Sequence, residues 1–265
     1  MNRKLIFSII VALTSPNALA IGHLASIDLF DRTEQRALPV YWHQGNAYVV
    51  GSPGNEYQIS VRNAAGVDVL AVVSVDGINV VSGETAAPSQ TGYVIDRWQH
   101  MDIAGWRKNL SRTAAFYFTS LGDSYAARTG RPNHVGVIGA ALFRRKPDAV
   151  AYPPELSAPR ADAGARDRGE SSAQSSAQAP QAAPSLREEK SLGDWRANTL
   201  GTGHGRQETS PARHTTFERA TSSPEEIIRI YYDSRANLVA RGVIPRESQR
   251  EPQPFPGRFV PDPPR

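Results

Sequence analysis

The sequence predicts a mainly β protein: an antiparallel β-sandwich of seven or eight strands, then a disordered linker and a small C-terminal strand-helix unit. Three observations predict it. Apolar and polar residues alternate over short runs, as where Tyr57, Ile59 and Val61 are separated by Gln58 and Ser60, the period expected of a half-buried strand. Asp76-Gly77 lies between Ala71-Val72-Val73-Ser74-Val75 and Ile78-Asn79-Val80-Val81, and Asp-Gly between β-branched runs favours a type I′ turn, which needs positive φ at both central positions. Turn residues recur at about 8–12-residue intervals, the spacing of a sandwich.

Residues 1–20 carry the pattern of a signal peptide. Met1-Asn2-Arg3-Lys4 is a short basic region, Leu5 to Thr14 is apolar, and Ala18-Leu19-Ala20 has the small-x-small signature of a cleavage site between Ala20 and Ile21. The apolar run is too short for a membrane span, which needs about 20 residues, and Pro16 breaks it. The expected compartment is therefore the periplasm or the secreted fraction, with no stable membrane span after cleavage.

Residues 21–146 make up the sandwich. Ile27 and Leu29 share one face of a strand over 26–31, and Gln44-Gly45-Asn46 joins Val40–His43 to Ala47–Val50 as a hairpin. Further strands are expected over 92–95, 114–119 and 135–143. Residues 147–190 lose nearly all large apolar side chains. Their core, Ser171-Ser172-Ala173-Gln174-Ser175-Ser176-Ala177-Gln178-Ala179-Pro180, cannot bury enough surface to offset its ordering entropy, so a disordered linker is expected.

Apolar residues return over 191–245. The pattern predicts a strand over 214–219 and a helix starting at Ser223-Pro224 with Glu226 closing a capping box. Ile227, Ile228, Tyr231, Leu238 and Val239 form its apolar stripe, and Gly242 ends it. One strand and one helix are too little to stand alone, so this unit is expected to dock on the sandwich, adding an edge strand. Residues 246–265 read as an extended Pro-rich tail.

The chain has no cysteine, which excludes thiol catalysis, thiolate metal sites and a lipoprotein anchor. Removing Arg3 and Lys4 with the leader leaves 28 basic against 26 acidic residues, so the formal net charge falls from +4 to +2. That balance, with no basic cluster interleaved by aromatics, argues against a nucleic-acid partner.

Two segments, Val72-Val73-Ser74-Val75-Asp76-Gly77-Ile78-Asn79-Val80-Val81-Ser82-Gly83-Glu84 and Ser124-Tyr125-Ala126-Ala127-Arg128-Thr129-Gly130-Arg131-Pro132, resemble recurring segments in a family of exported proteobacterial proteins. Leu200-Gly201-Thr202-Gly203-His204-Gly205 and Tyr232-Asp233-Ser234 are similar to that family too. The resemblance implies an envelope or secreted protein with the same two-part layout. It brings no established activity, so no catalytic residue is carried over.

The segment from Asp123 to Pro132 is the leading candidate for ligand binding, since polar connections on a rigid scaffold commonly carry it. Arg128 and Arg131 have the chemistry to clamp a carboxylate or phosphate, with Tyr125 supplying a flat face and a hydroxyl; the alternative is a structured crossover whose arginines cap carbonyls or pair with Asp123. His100 and Asp102, two apart on a strand, share a face without a third group to complete a base or a metal site. Gly201-Thr202-Gly203-His204-Gly205 lacks the strand-to-helix setting of a phosphate loop and reads as a tight turn. No cofactor, metal or catalytic residue is expected.

The expected function is that of a non-enzymatic binding or structural module with an envelope protein or glycan as partner. The alternative is a hydrolase or carbohydrate-active protein with its site near residues 123–132.

Overall fold

The computed structural model describes residues 21–147 and 199–246. The expected leader, residues 148–190 of the expected linker, residues 191–198 and the tail beyond Arg246 lie outside the described residues.

Two multi-stranded sheets face each other. The first contains β1 (Ala25–Asp31), β2 (Arg36–Ala37), β5 (Glu56–Asn63), β9 (His100–Ile103), β10 (Gly105–Arg107), β11 (Arg112–Ser120) and β13 (Leu200–Thr209). Its order is β10-β11-β5-β1-β2, with β13 along the other side of β11 and β9 against β5. The second contains β3 (Val40–His43), β4 (Asn46–Val50), β6 (Val69–Val75), β7 (Ile78–Asn79), β8 (Tyr93–Ile95), β12 (Val137–Arg144) and β14 (Glu226–Asp233). Its order is β3-β4-β14-β12-β6-β7, with β8 also on β6. Every pairing is antiparallel except β14 with β4.

The alternation expected from sequence is what closes the core. Ile27 and Leu29 of β1, Tyr57, Ile59 and Val61 of β5, and Phe116 and Phe118 of β11 join Val73, Val75, Ile138, Ala140, Ile228 and Ile230 of the second sheet in one buried cluster. The Tyr57 ring stacks on Phe118 at 4.4 Å and on Phe116 at 5.4 Å. Each such large side chain contributes about 1.5–3 kcal/mol by leaving water. The Asp76-Gly77 turn has φ of 53° and 72°, both positive as type I′ demands, and Gln44-Gly45 matches it at 49° and 76°.

Three C-terminal expectations are corrected. The helix expected from Ser223 is instead strand β14 followed by a short helix. Ile228, Ile230 and Tyr232 point inward at period two, whereas Ile227 is 47% exposed. The β-branched and aromatic run fits the slot between β4 and β12 better than a helical surface. Glu226 makes no capping box; its carboxylate accepts the backbone N–H groups of His23 and Leu24. The helix that does form, following α1 (Tyr125–Arg128) in chain order, is α2 (Arg235–Ala240), capped by Ser234, whose hydroxyl accepts the N–H of Asn237.

The strand expected over 214–219 is an extended crossing, with only an isolated bridge from Arg219 to Arg145. Its polar groups bond elsewhere: the Arg219 guanidinium donates to the carbonyls of Pro88, Ser89 and Gln90, and Phe217 lies under the Arg145 guanidinium at 4.8 Å.

The turn expected over Gly201–Gly205 is the first half of β13. The glycines are spaced for close cover, not for bending. A Cβ on Gly203 would lie 2.2 Å from the Tyr117 ring, so the ring can lie flat over this strand only because side chains are absent. The C-terminal segment supplies β13 to the edge of the first sheet and, beyond the single edge strand expected, β14 to the interior of the second.

Candidate functional site

Between the edge strand β13 and the β6–β7 turn, the sandwich is closed by the connection after β11. This connection holds α1 (Tyr125–Arg128) and a 3-10 turn (Pro132–His134). Ser124 starts α1 because its hydroxyl accepts the Ala127 N–H at 3.1 Å. Ala126 is fully buried in the main core, which fixes how the other side chains of the turn project.

The four candidate residues are treated differently by this geometry. Asp123 is exposed, and its carboxylate accepts the Ser120 hydroxyl at 2.9 Å. Arg131 donates to the Gly83 carbonyl and the Thr129 hydroxyl, both at 3.1 Å, tying the connection to the second sheet. Tyr125 is half-buried between the Trp106 ring at 4.8 Å and the His204 ring at 5.5 Å. Arg128 is exposed and makes no side-chain hydrogen bond or ion pair among the described residues. Arg128 and Arg131 therefore do not act as a pair: one is anchored, the other free.

Beneath this cover lies a buried polar network. Asp76 is 1% exposed. One carboxylate oxygen accepts the Gly136 N–H at 2.9 Å and the Tyr232 hydroxyl at 2.5 Å. The other accepts the Thr202 N–H at 2.8 Å. The Thr202 hydroxyl bonds to both Tyr232 at 2.8 Å and Tyr57 at 2.7 Å. Burial pushes the Asp76 pKa up to about 6, against the lowering effect of its hydrogen bonds from Tyr232, Thr202, Gly136 and Val137. Burial, followed by the nearby Asp76 charge, also raises Tyr57 and Tyr232 well above the usual tyrosine range.

Comparison with known proteins adds no relative. No family model, no curated protein and no solved structure matches this chain.

The remaining sequence candidates separate. His100 and Asp102 both lie exposed on β9, where Asp102 faces Ser60 and accepts its hydroxyl at 2.5 Å. Among the described residues no group of three or more acidic or histidine side chains is placed to hold a metal ion. Nor is any helix long and apolar enough to cross a membrane. Ala20 lies outside the described residues, whereas Ile21 exchanges backbone hydrogen bonds with Ile27 at 3.2 and 2.8 Å.

Sequence reasoning missed the network because each member had a local explanation. Asp76 is accounted for by its turn and Thr202 by a glycine-rich run, while the helical stripe takes Tyr231 and leaves out its neighbour Tyr232. The available signal was the parity of Thr202 and Tyr232: each shares a strand face with apolar neighbours. His204 was missed for the same reason as Thr202, being placed in a turn and not on a strand.

Proposed function

We propose that this chain is an exported protein of the periplasm or secreted fraction whose sandwich works as a non-enzymatic binding module. Its recognition surface is the connection over 123–132. The observation that carries this is the contrast between the two polar sites. The carboxylate and hydroxyls that converge most closely are sealed in the core, where they hold strands together. Tyr125 and Arg128, which reach the surface, stand on a short helix anchored by Ala126 and Arg131. Fixed scaffold and unpaired surface groups suit recognition more than turnover. The basic-apolar-small pattern of residues 1–20 and the similarity to exported proteobacterial proteins support the location.

Proximity crosslinking of the full chain in its native envelope, followed by pull-down, tests the reading. A reproducible protein or glycan partner that is lost in Arg128→Glu is the expected result. Failure to recover any partner, or capture indifferent to Arg128→Glu, overturns it. N-terminal sequencing of the recovered chain checks export; the expected first residue is Ile21, and a retained Met1 rejects cleavage.

A further inference from the structure

At the opposite end of β14 from the Asp76 network, the second sheet has a notch. β14 starts at Glu226, yet β4 pairs with it only from Ile230, where Ala47 lies opposite. Residues 226–229 therefore have β12 on one side and no strand on the other. The gap is a cleft of about 410 Å³, bounded by Gly45 and Asn46 at the β3–β4 turn, by Trp42 of β3 and by residues 21–23.

Strand alternation decides which backbone groups face this gap. Tyr232 donates its N–H to the Gly136 carbonyl on the β12 side, whereas the Asp233 carbonyl accepts the Gly51 N–H on the β4 side. Counting back by twos from Asp233, the N–H and C=O of Ile227 turn toward the cleft. The walls are held in place. The Glu226 carboxylate accepts the His23 N–H at 2.9 and 3.1 Å and the Leu24 N–H at 2.7 Å. A Cβ on Gly22 would lie 2.5 Å from Ile228 Cδ1, so this segment runs in close contact with β14. Two large apolar side chains of the lining are left in water: Trp42, 55% exposed, and Ile227, 47% exposed. A preformed cleft of mixed lining and this volume is of the size that holds a small ligand, about 300–1,000 Å³.

The chemistry of the lining selects the ligand. The free N–H and C=O of Ile227 match the C=O and N–H of a single amide, as in a strand ladder. An indole packs its flat apolar face against a ring of carbon-bound hydrogens and keeps its N–H for a polar partner. A sugar ring bearing an acetamido group carries both features, with a methyl group for the Ile227 side chain. A peptide strand also carries amides but needs a longer edge. Here the edge is four residues, stopped by Gly45 beyond Arg229 and by residues 21–23 beside Glu226.

We infer that this cleft binds an N-acetylhexosamine unit of a glycan, its acetamido group paired with the Ile227 backbone and its ring on Trp42. The site is separate from the surface over 123–132 and goes beyond the binding-module reading.

The test is an NMR titration of the purified full chain with N,N′-diacetylchitobiose, following the indole N–H signals of its four tryptophans. Trp42 is assigned by loss of its signal in Trp42→Ala. Its signal is expected to shift saturably, while that of Trp98, which is also exposed, stays in place. Cellobiose has the same rings without acetamido groups and is expected to bind about tenfold more weakly, the scale of one lost amide pairing. By calorimetry, binding should disappear in Trp42→Ala and be unchanged in Trp98→Ala.

No saturable shift at Trp42, or equal binding of cellobiose, overturns the site. A trialanine amide that moves Trp42 at lower concentration than the disaccharide assigns the cleft to a peptide and overturns the sugar as well. The comparison among ligands needs no variant, so a folding defect in Trp42→Ala leaves it decisive. Neither readout involves Arg128, so this site and the surface over 123–132 can fail separately.

Discussion

The carboxylate of Asp76 accepts the backbone N–H of Thr202 at 2.8 Å across 126 positions of sequence. Thr202 lies on β13, the edge strand of the first sheet, and Asp76 on the turn between two strands of the second. One hydrogen bond thus closes an open edge of one sheet with a side chain from the other. The same carboxylate accepts Tyr232 from β14 and Gly136 from the connection leading into β12. A single buried acid holds four parts of the chain in register.

Removing that acid should be costly. Asp76→Ala leaves the Gly136 and Thr202 N–H groups buried without acceptors and removes the Tyr232 hydroxyl's bond to the carboxylate, each worth about 1–3 kcal/mol. The expected loss is about 3–5 kcal/mol in urea denaturation. A loss below 1 kcal/mol would mean that water replaces the carboxylate.

The pH dependence has a definite sign. Because the folded pKa of Asp76 lies above its unfolded value of 3.8, at about 6, the folded state holds the proton more tightly. Its contribution is complete below about pH 4 and is lost as pH rises through about 6, on the order of 3 kcal/mol. Stability of the natural chain minus that of Asp76→Asn should therefore fall across this window and be flat above it. A difference that rises with pH would contradict the raised pKa.

Tyr232 and Thr202 share a hydroxyl-hydroxyl bond besides their contacts with Asp76 and Tyr57. Tyr232→Phe should cost about 1–2 kcal/mol. A double-mutant cycle with Thr202→Val should show coupling of at least 0.5 kcal/mol, the scale for side chains in one network. Additive losses would show that the two hydroxyls act independently.

Two equivalent turns give an internal comparison. Gly45 and Gly77 both have positive φ, but a Cβ on Gly45 meets nothing within 4 Å whereas one on Gly77 lies 2.7 Å from the His134 Cβ. Alanine at either position pays about 1–2 kcal/mol for the left-handed backbone. Gly77→Ala should cost about 1 kcal/mol more, from crowding. Equal melting-temperature shifts would mean that His134 moves aside freely.

The chain should not fold without its C-terminal part. Residues 21–146 alone lack β13 along the whole length of β11 and β14 between β4 and β12. That fragment is expected to show poor amide dispersion and no cooperative thermal transition. A cooperative transition at the melting temperature of the full chain would show that the two C-terminal strands are dispensable.

Short-range regularities were legible in the sequence, as were the turns they imply. The alternation at Tyr57, Ile59 and Val61 and the Asp76-Gly77 turn are local, so sequence carries them in full. The four loop candidates were legible as chemistry but not as roles. Nothing in the sequence separates the anchored Arg131 from the free Arg128, because the difference is the distance to the Gly83 carbonyl in the connection after β7. The residues 226–233 failed for a physical reason as well: Ile-Ile-Arg-Ile-Tyr-Tyr satisfies period two, and Ile227, Ile228 and Tyr231 also satisfy a helical spacing. Only the empty slot between β4 and β12 selects the strand.

By itself the sequence determined that the described chain is mainly β, built on β-branched alternation, glycine-bearing type I′ turns and a core without disulfides. These are consequences of backbone sterics and of burying every second side chain, and they act between near neighbours. Only the tertiary structure decided that the C-terminal segment completes both sheets, that Asp76 is the acid joining them, and that Tyr125 packs between Trp106 and His204. Those relationships join residues separated by tens to more than a hundred positions. They are set by which strand edges are left unpaired once the local elements have formed.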